Sequence, residues 1–323
     1  MTKNSDLLLS KSTKGQPLYK YALTATERAA IACFPWIGKD DVMSADKAAV
    51  EGMRAAFSNI PISGKVIIGE GERDEAPMLY IGESVGAGGV KMDIAVDPLE
   101  GTTICSKGLP NSLSVLAMAP EGSMLNAPDV YMEKLVTGFG VPKEAIDLDF
   151  STEENLNNIA DSLSINISEL TVTVLNRPRH NKIIEEINKV GAKLKLIEDG
   201  DILASIVCSI DQFNSHVYMG IGGAPEGVLA AAALKCLGGQ MCCRLLFNDD
   251  LQVERAVSMG IKDINKKYRI DDMVSDEVIF SATGVTSGDL LDGVSLMHGV
   301  FTTHSIILRS SVTDILKVIN HHT

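Results

Sequence analysis

Apolar residues recur at helical spacing in TATERAAIACF (24–34) and SADKAAVEGMRAAF (44–57), which predicts two amphipathic helices, the second opened by Ser44 as N-cap. KVIIG (65–69) is a short apolar run that passes directly into acidic residues, and it predicts a strand. DIAVD (93–97) and SLSVLAMA (112–119) predict two more, on either side of the turn-forming stretch PLEGTT.

A second half begins near Phe150. Ser151 and Glu154 stand at capping-box spacing before the helical run of STEENLNNIADSL. Strand LTVTVL (170–175), helix HNKIIEEINKVG (180–191), strand KLKLI (193–197) and helix DILASIVC (201–208) follow. Strand HVYMG (216–220), helix APEGVLAAAALKCLG (224–238) and strand EVIFSAT (277–283) complete the series. Strands alternating with helices predict a layered α/β architecture in which helices cover the sheets. The chain shows no repeat, low-complexity tract or Pro/Ser-rich linker. It is therefore read as a polar extension (1–20) and two subdomains of one catalytic unit, 21–150 and 151–323.

Composition narrows the partners. With 323 residues, 45% hydrophobic and 22% charged, the chain can bury a sizeable core. A formal charge of −13 argues against nucleic-acid and membrane partners, because those polyanions repel such a surface. An anionic substrate then needs a local basic pocket or bound cations. The six cysteines form no CxxC pair and lie mostly in apolar runs, which suits reduced, packed thiols in a reducing, cytoplasmic compartment.

Acids and glycines gather where strands end. Asp40, Asp41 and Asp46 flank the start of the second helix; Glu70, Glu72, Asp74 and Glu75 follow KVIIG; Asp97 and Glu100 close DIAVDPLE; Glu226 follows HVYMG within GIGGAPEG. One such cluster alone can be a solvated turn or a helix-dipole partner. Glu70 and Asp97, however, are each the first acid after an apolar strand, the position where α/β enzymes gather site residues. Carboxylates brought together repel unless a cation joins them, and oxygen ligands without His or Cys suit Mg²⁺ or Mn²⁺. Gly101 lets backbone approach a phosphate, and the Thr102 hydroxyl beside it can contact the phosphoryl group or the attacking water. Arg177 and Arg179, in a chain poor in basic residues, can grip a phosphate or simply be solvated. Asp199 and Asp201 can bind sugar hydroxyls or cap the next helix, and Tyr131 can stack on a substrate or belong to the core.

The segments VIIGEGERDEAPMLYIGE (66–83), DIAVDPLEGTT (93–103), NAPDVYMEKL (126–135), RPRH (177–180), DGD (199–201), GIGGAPEGV (220–228) and IFSATG (279–284) closely resemble the class II fructose-1,6-bisphosphatases, in order, from about residue 22 to 310. The resemblance implies the layered α/β/α/β fold of the sugar-phosphatase superfamily and hydrolysis of the 1-phosphate of fructose 1,6-bisphosphate. It implies metal ligands at Asp46, Glu70, Asp97, Glu100 and Glu226, with Mn²⁺ or Mg²⁺ as cofactor. It implies substrate contacts at Glu100, Gly101, Thr102, Tyr131, Arg177, Pro178, Arg179, Asp199, Gly200, Asp201 and Gly223, with Thr102 on the attacking water, aided by Glu70 and Asp97. The 21–150 part becomes the metal-binding subdomain, the 151–323 part the sugar-phosphate-binding one, and the protein a homo-oligomer acting in gluconeogenesis or a sugar-phosphate cycle.

The resemblance breaks at GKDDVMSAD (38–46), where Val42 replaces the family's lysine and removes a positive charge. Two alternatives follow: a dual fructose-1,6-/sedoheptulose-1,7-bisphosphatase, and a weakly active relative kept as a regulatory subunit, which Val42→Lys would expose by a gain in turnover. A dinucleotide-dependent oxidoreductase is disfavoured because GIGGAPEG lacks GxGxxG spacing.

Overall fold

A computed structural model describes residues 17–71 and 78–323. Its helices, in chain order, are α1 (Leu18–Cys33), α2 (Val42–Phe57), α3 (Thr102–Ser106), α4 (Thr152–Leu163), α5 (Asn181–Val190), α6 (Asp201–Val207), α7 (Ala224–Leu237), α8 (Asp250–Ser258) and α9 (Ile270–Met273). Its strands are β1 (Ile62–Ile68), β2 (Ser84–Val85), β3 (Val90–Glu100), β4 (Leu113–Pro120), β5 (Tyr131–Thr137), β6 (Thr171–Leu175) and β7 (Lys193–Ile197). They continue with β8 (Val217–Gly223), β9 (Gln240–Leu246), β10 (Lys267–Tyr268), β11 (Ile279–Gly284), β12 (Ser295–Met297), β13 (Val300–Arg309) and β14 (Val312–His322). The class is mixed α/β.

The chain forms two compact units, one from residues up to Leu125 together with Val274–Thr323, the other from Asn126–Met273. The division therefore does not fall at residue 150. Tyr131–Thr137 pairs on both edges with strands of the second unit, β8 and β9, while β11 returns to pair with β4 of the first. Strand pairing between distant segments sets the units, and no local signal reports it.

In the first unit the sheet runs β12-β13-β11-β4-β3-β1-β2, with β14 also on β13. Only β1 and β3 are parallel there. α1 and α2 join the core through Ala22, Ala29 and Cys33 from one and Ala45, Ala49, Met53 and Phe57 from the other, against Ile62, Ile94, Leu116 and Ile307 of the strands. Small residues let the two helices come close: a Cβ at Gly52 would lie 2.7 Å from the Arg28 carbonyl oxygen and 2.9 Å from the Ala32 Cβ. α1 begins at Leu18, so residues 18–20 belong to a helix rather than to the expected extension; residues 1–16 lie outside the described residues.

α2 starts earlier than predicted. Asp41, not Ser44, is its N-cap, and the Ser44 backbone N–H donates to Asp41 Oδ1 at 3.0 Å. The expected cap at Ser151 is present, accepting from the Glu154 N–H at 3.1 Å.

In the second unit the order is β10-β9-β5-β8-β6-β7, with β6 parallel to β7 and β8. α4 and α5 bury Leu156, Ile159 and Ile187 against Val172, Val174, Val217 and Met219. α7 is buried without interruption from Gly227 to Leu234, as the all-apolar run GVLAAAAL requires.

Candidate active site

In the first unit the acids sit where strands stop. β3 reads apolar through Ile94, Ala95 and Val96 and reaches Asp97 at its fourth-last residue. Residues three apart on a regular strand point to opposite faces. Here the register with β4 slips: Asp97 pairs with Val115 but Glu100 with Leu113, three residues against two. That bulge, at Pro98-Leu99, turns Asp97 and Glu100 onto one face of the sheet. The Leu99 N–H donates to Asp97 Oδ1 at 3.1 Å and fixes the turn, while Ser112 Oγ donates to the Glu100 carbonyl at 2.9 Å.

Gly101 follows with φ of 77°, and a Cβ there would stand 2.7 Å from Ile104 Cδ1. Glycine is required by both backbone and space. Thr102 is then the first residue of α3. Glu70 lies just past β1, where its N–H donates to the Leu79 carbonyl at 3.1 Å, and Asp46 lies on the second turn of α2. Burial pushes the Asp46 carboxyl above its usual range. Asp41 moves the other way, held low by the hydrogen bonds from Ser44.

The second unit gathers the remaining candidates at the ends of β6, β7 and β8. Gly223 is the N-cap of α7 and Glu226 lies in its first turn. The Glu226 carboxylate folds back over Gly223 so closely that any Cβ there would overlap it. Gly222 in turn makes room for the Asp201 carboxylate, whose Oδ2 lies 2.5 Å from Lys134 Nζ. The Lys134 side chain is 0% exposed and that of Asp201 7%. Burial alone would lower the Lys134 pKa, but the charges of Asp201 and Glu226 outweigh it and hold the ammonium above its ordinary value. Tyr218 Oη donates to the same Asp201 oxygen at 3.5 Å.

Asp199 accepts from the Gly200 N–H at 3.1 Å, and burial raises its pKa despite that bond and the nearby Arg177. α6 is capped by Gly200, at φ of 91°, without a side-chain hydrogen bond, so neither aspartate serves as its cap. Arg177 Nη1 donates to the Asn176 carbonyl, and Arg179 donates from Nε and Nη2 to the Ile221 carbonyl at 3.1 and 2.8 Å. Pro178 opens the 3₁₀ turn between them. The Arg179 guanidinium lies 4.9 Å from the centre of the Tyr131 ring, which is 44% exposed, so Tyr131 is a surface platform and not a core residue.

Each unit thus collects its own candidates, Asp46, Glu70, Asp97, Glu100, Gly101 and Thr102 in the first, and Tyr131, Arg177, Arg179, Asp199, Asp201, Gly223 and Glu226 in the second. Among the described residues, no three His, Cys, Asp or Glu stand close enough to form a ready-made metal cluster, and Glu72, Asp74 and Glu75 lie outside those residues. The donor set suits a hard divalent cation, since it is carboxylate throughout. All six cysteines are free thiols, five of them buried.

The model of the family described as bacterial fructose-1,6-bisphosphatase, glpX-encoded, matches residues 18–323. The chain belongs to this family. It is 45% identical over 312 residues to fructose-1,6-bisphosphatase 1 class 2 of Escherichia coli (strain K12), covering 92% of each chain. Against fructose-1,6-bisphosphatase class 2 of Haemophilus influenzae the identity is 42% over 92% of this chain and 93% of the relative. A relative in Synechocystis, D-fructose 1,6-bisphosphatase class 2/sedoheptulose 1,7-bisphosphatase, is 41% identical over 89% of this chain and 91% of its own.

Within this bisphosphatase family framework, residue reading left two side chains without a role. Lys134 stands in a strand on the buried face it shares with Met132, where a lysine needs a counter-charge, and that parity was the available signal. His180 closes RPRH and is 2% exposed. No helix among the described residues is long and apolar enough to cross a membrane.

Proposed function

We infer that the chain hydrolyses the 1-phosphate of fructose 1,6-bisphosphate, giving fructose 6-phosphate and inorganic phosphate. The observation that carries the reading is the family match over residues 18–323, together with an acid at every position where the resemblance requires a metal ligand.

By the family resemblance, Asp46, Glu70, Asp97, Glu100 and Glu226 are the residues that would hold Mg²⁺ or Mn²⁺. Such ions, when bound, neutralise the phosphate oxygens and lower the pKa of a bound water. The chain's own contributions are positional. Gly101 removes the side chain that would keep the phosphoryl group from the backbone, and the Thr102 hydroxyl orients water for attack on phosphorus. The new P–O bond forms as the bond between phosphorus and the sugar's C1 oxygen breaks, and the proton released by the water ends on that oxygen. Arg179, anchored on Ile221 and stacked on Tyr131, keeps donors for the distal 6-phosphate, with Arg177 beside it. Asp199 and Asp201 accept hydrogen bonds from the sugar hydroxyls. Charge supports the cation reading, because a protein at −13 repels a sugar bisphosphate unless cations and arginines intervene.

A second reading, activity on sedoheptulose 1,7-bisphosphate as well, is favoured by the dual-named relative at 41% identity. It differs by one carbon and hydroxyl in the pocket. The reading also carries a cytoplasmic, homo-oligomeric enzyme of carbohydrate metabolism. A phosphate-release assay across sugar bisphosphates with each divalent metal tests both. The first reading expects fructose 1,6-bisphosphate to have the highest kcat/KM, equal values for the two sugars establish the dual enzyme, and no release from either sugar contradicts both.

A further inference from the structure

β8 is paired with β5 along its whole length, from Val217 to Gly223, but with β6 only at Val217 and Tyr218. Beyond Tyr218 the edge that faces β6 would be left with open peptide groups. The RPRH turn fills that place. His180 receives the Ile221 N–H on Nε2 at 2.8 Å, and its Nδ1 lies 2.7 Å from the Leu175 carbonyl at the end of β6. An amide N–H can only donate and a carbonyl can only accept, so the imidazole is neutral with its proton on Nδ1. Its pKa is pushed down by burial and by the charges of Arg179 and Arg177, in keeping with that state. The ring lies over Gly220, where a Cβ would stand 3.0 Å from Nε2.

Ile221 is gripped twice. Its N–H goes to His180, and its carbonyl takes both hydrogen bonds of Arg179. A guanidinium has five N–H donors, and two are spent here, so three remain on an edge whose direction is set by the Ile221 peptide.

We propose that His180 is a positioning residue for substrate: by bridging Leu175 and Ile221 it fixes the peptide on which Arg179 is seated, and so aims the free donors of Arg179 at the distal phosphate. His180 itself touches no substrate. The inference rests on the reading of Arg179 given above.

The test compares KM and kcat for fructose 1,6-bisphosphate and for fructose 1-phosphate, which lacks the distal group, in wild type, R179A, H180A and R179A/H180A. A cavity of about 420 Å³ adjoins His180, Arg179 and Ile221, so water can enter the space left by His180→Ala and satisfy Ile221. His180→Gln, which retains one donor and one acceptor, is measured alongside in case the alanine variant does not fold. Expected are a KM for the bisphosphate raised about tenfold in H180A with kcat within about twofold, smaller in H180Q. For fructose 1-phosphate H180A should leave KM unchanged, and in the R179A background H180A should add less than about twofold. If R179A itself leaves the bisphosphate KM unchanged, the role of Arg179 and this inference both fall. If R179A raises KM but the H180A effect multiplies with it, or H180A weakens both substrates equally, this inference alone is overturned.

Discussion

Lys134→Met removes the ammonium from the buried pair while keeping the length of its stem. In the native state the ammonium is 2.5 Å from Asp201 and also feels the charge of Glu226, with the side chains of Lys134 and Asp201 both buried. Deleting one partner of a buried ion pair leaves a carboxylate uncompensated, at a cost of about 3–5 kcal/mol. With a urea slope of about 3 kcal/mol/M that loss lowers the unfolding midpoint by roughly 1–2 M. Pairing it with Asp201→Asn removes one stranded charge and should recover more than half the loss, though Glu226 remains. The pH dependence has a definite sign: a lysine whose folded pKa is raised contributes its full stability below the unfolded value of about 10.4 and loses it as pH climbs through the higher folded value. Urea midpoints of wild type and both variants, from pH 7 to pH 11, check this. A K134M midpoint within about 0.3 M of wild type at pH 7 would show that the pair is not stabilising. So would strictly additive losses in the double variant.

Other consequences follow from single contacts. Gly223→Ala places a methyl group where the Glu226 carboxylate folds back, so turnover should drop about ten- to hundredfold, with the unfolding midpoint changed little; unchanged turnover would mean that the Glu226 position is irrelevant. Glu27, on the buried face of α1, accepts from Thr303 at 2.9 Å and Asn320 at 2.8 Å, yet burial raises its pKa above the ordinary 4.5. Because the folded state then holds the proton more tightly, the Glu27 contribution to stability is fully present below about pH 4.5 and is lost as pH rises through the raised value, and Glu27→Gln should remove that component from stability-versus-pH curves.

Much of the fold was legible because its elements are locally specified. Ser151 caps α4 as its spacing predicts, and β6, α5 and β7 match their apolar periods. The cap of α2 was missed because Asp41 and Ser44 both suit the role, and only the direction of the hydrogen bond between them decides it. The hairpin of β13 and β14 went unread, since it is stabilised by pairing with β11 and not by a turn signature. The candidate site residues stood out as acids and glycines at strand ends. Their orientation did not: Asp97 and Glu100 share a face only because of a bulge whose evidence is the register against β4. Lys134 and His180 escaped for a related reason. Each acts on partners 67 and 41 positions away, Asp201 and Ile221, so its meaning appears only when the strands are paired.

In the proposed function, strand-end carboxylates of the first unit make phosphate-ester hydrolysis depend on a divalent cation. Formation of fructose 6-phosphate from fructose 1,6-bisphosphate, followed in chelator-treated protein with Mn²⁺ or Mg²⁺ added back, measures this directly when wild type is compared with Glu70→Gln. Expected are activity in wild type only after metal is restored, and a loss of at least about a hundredfold in Glu70→Gln at any metal concentration. Full activity in the Glu70→Gln protein, or metal-independent turnover in the wild type, would contradict it.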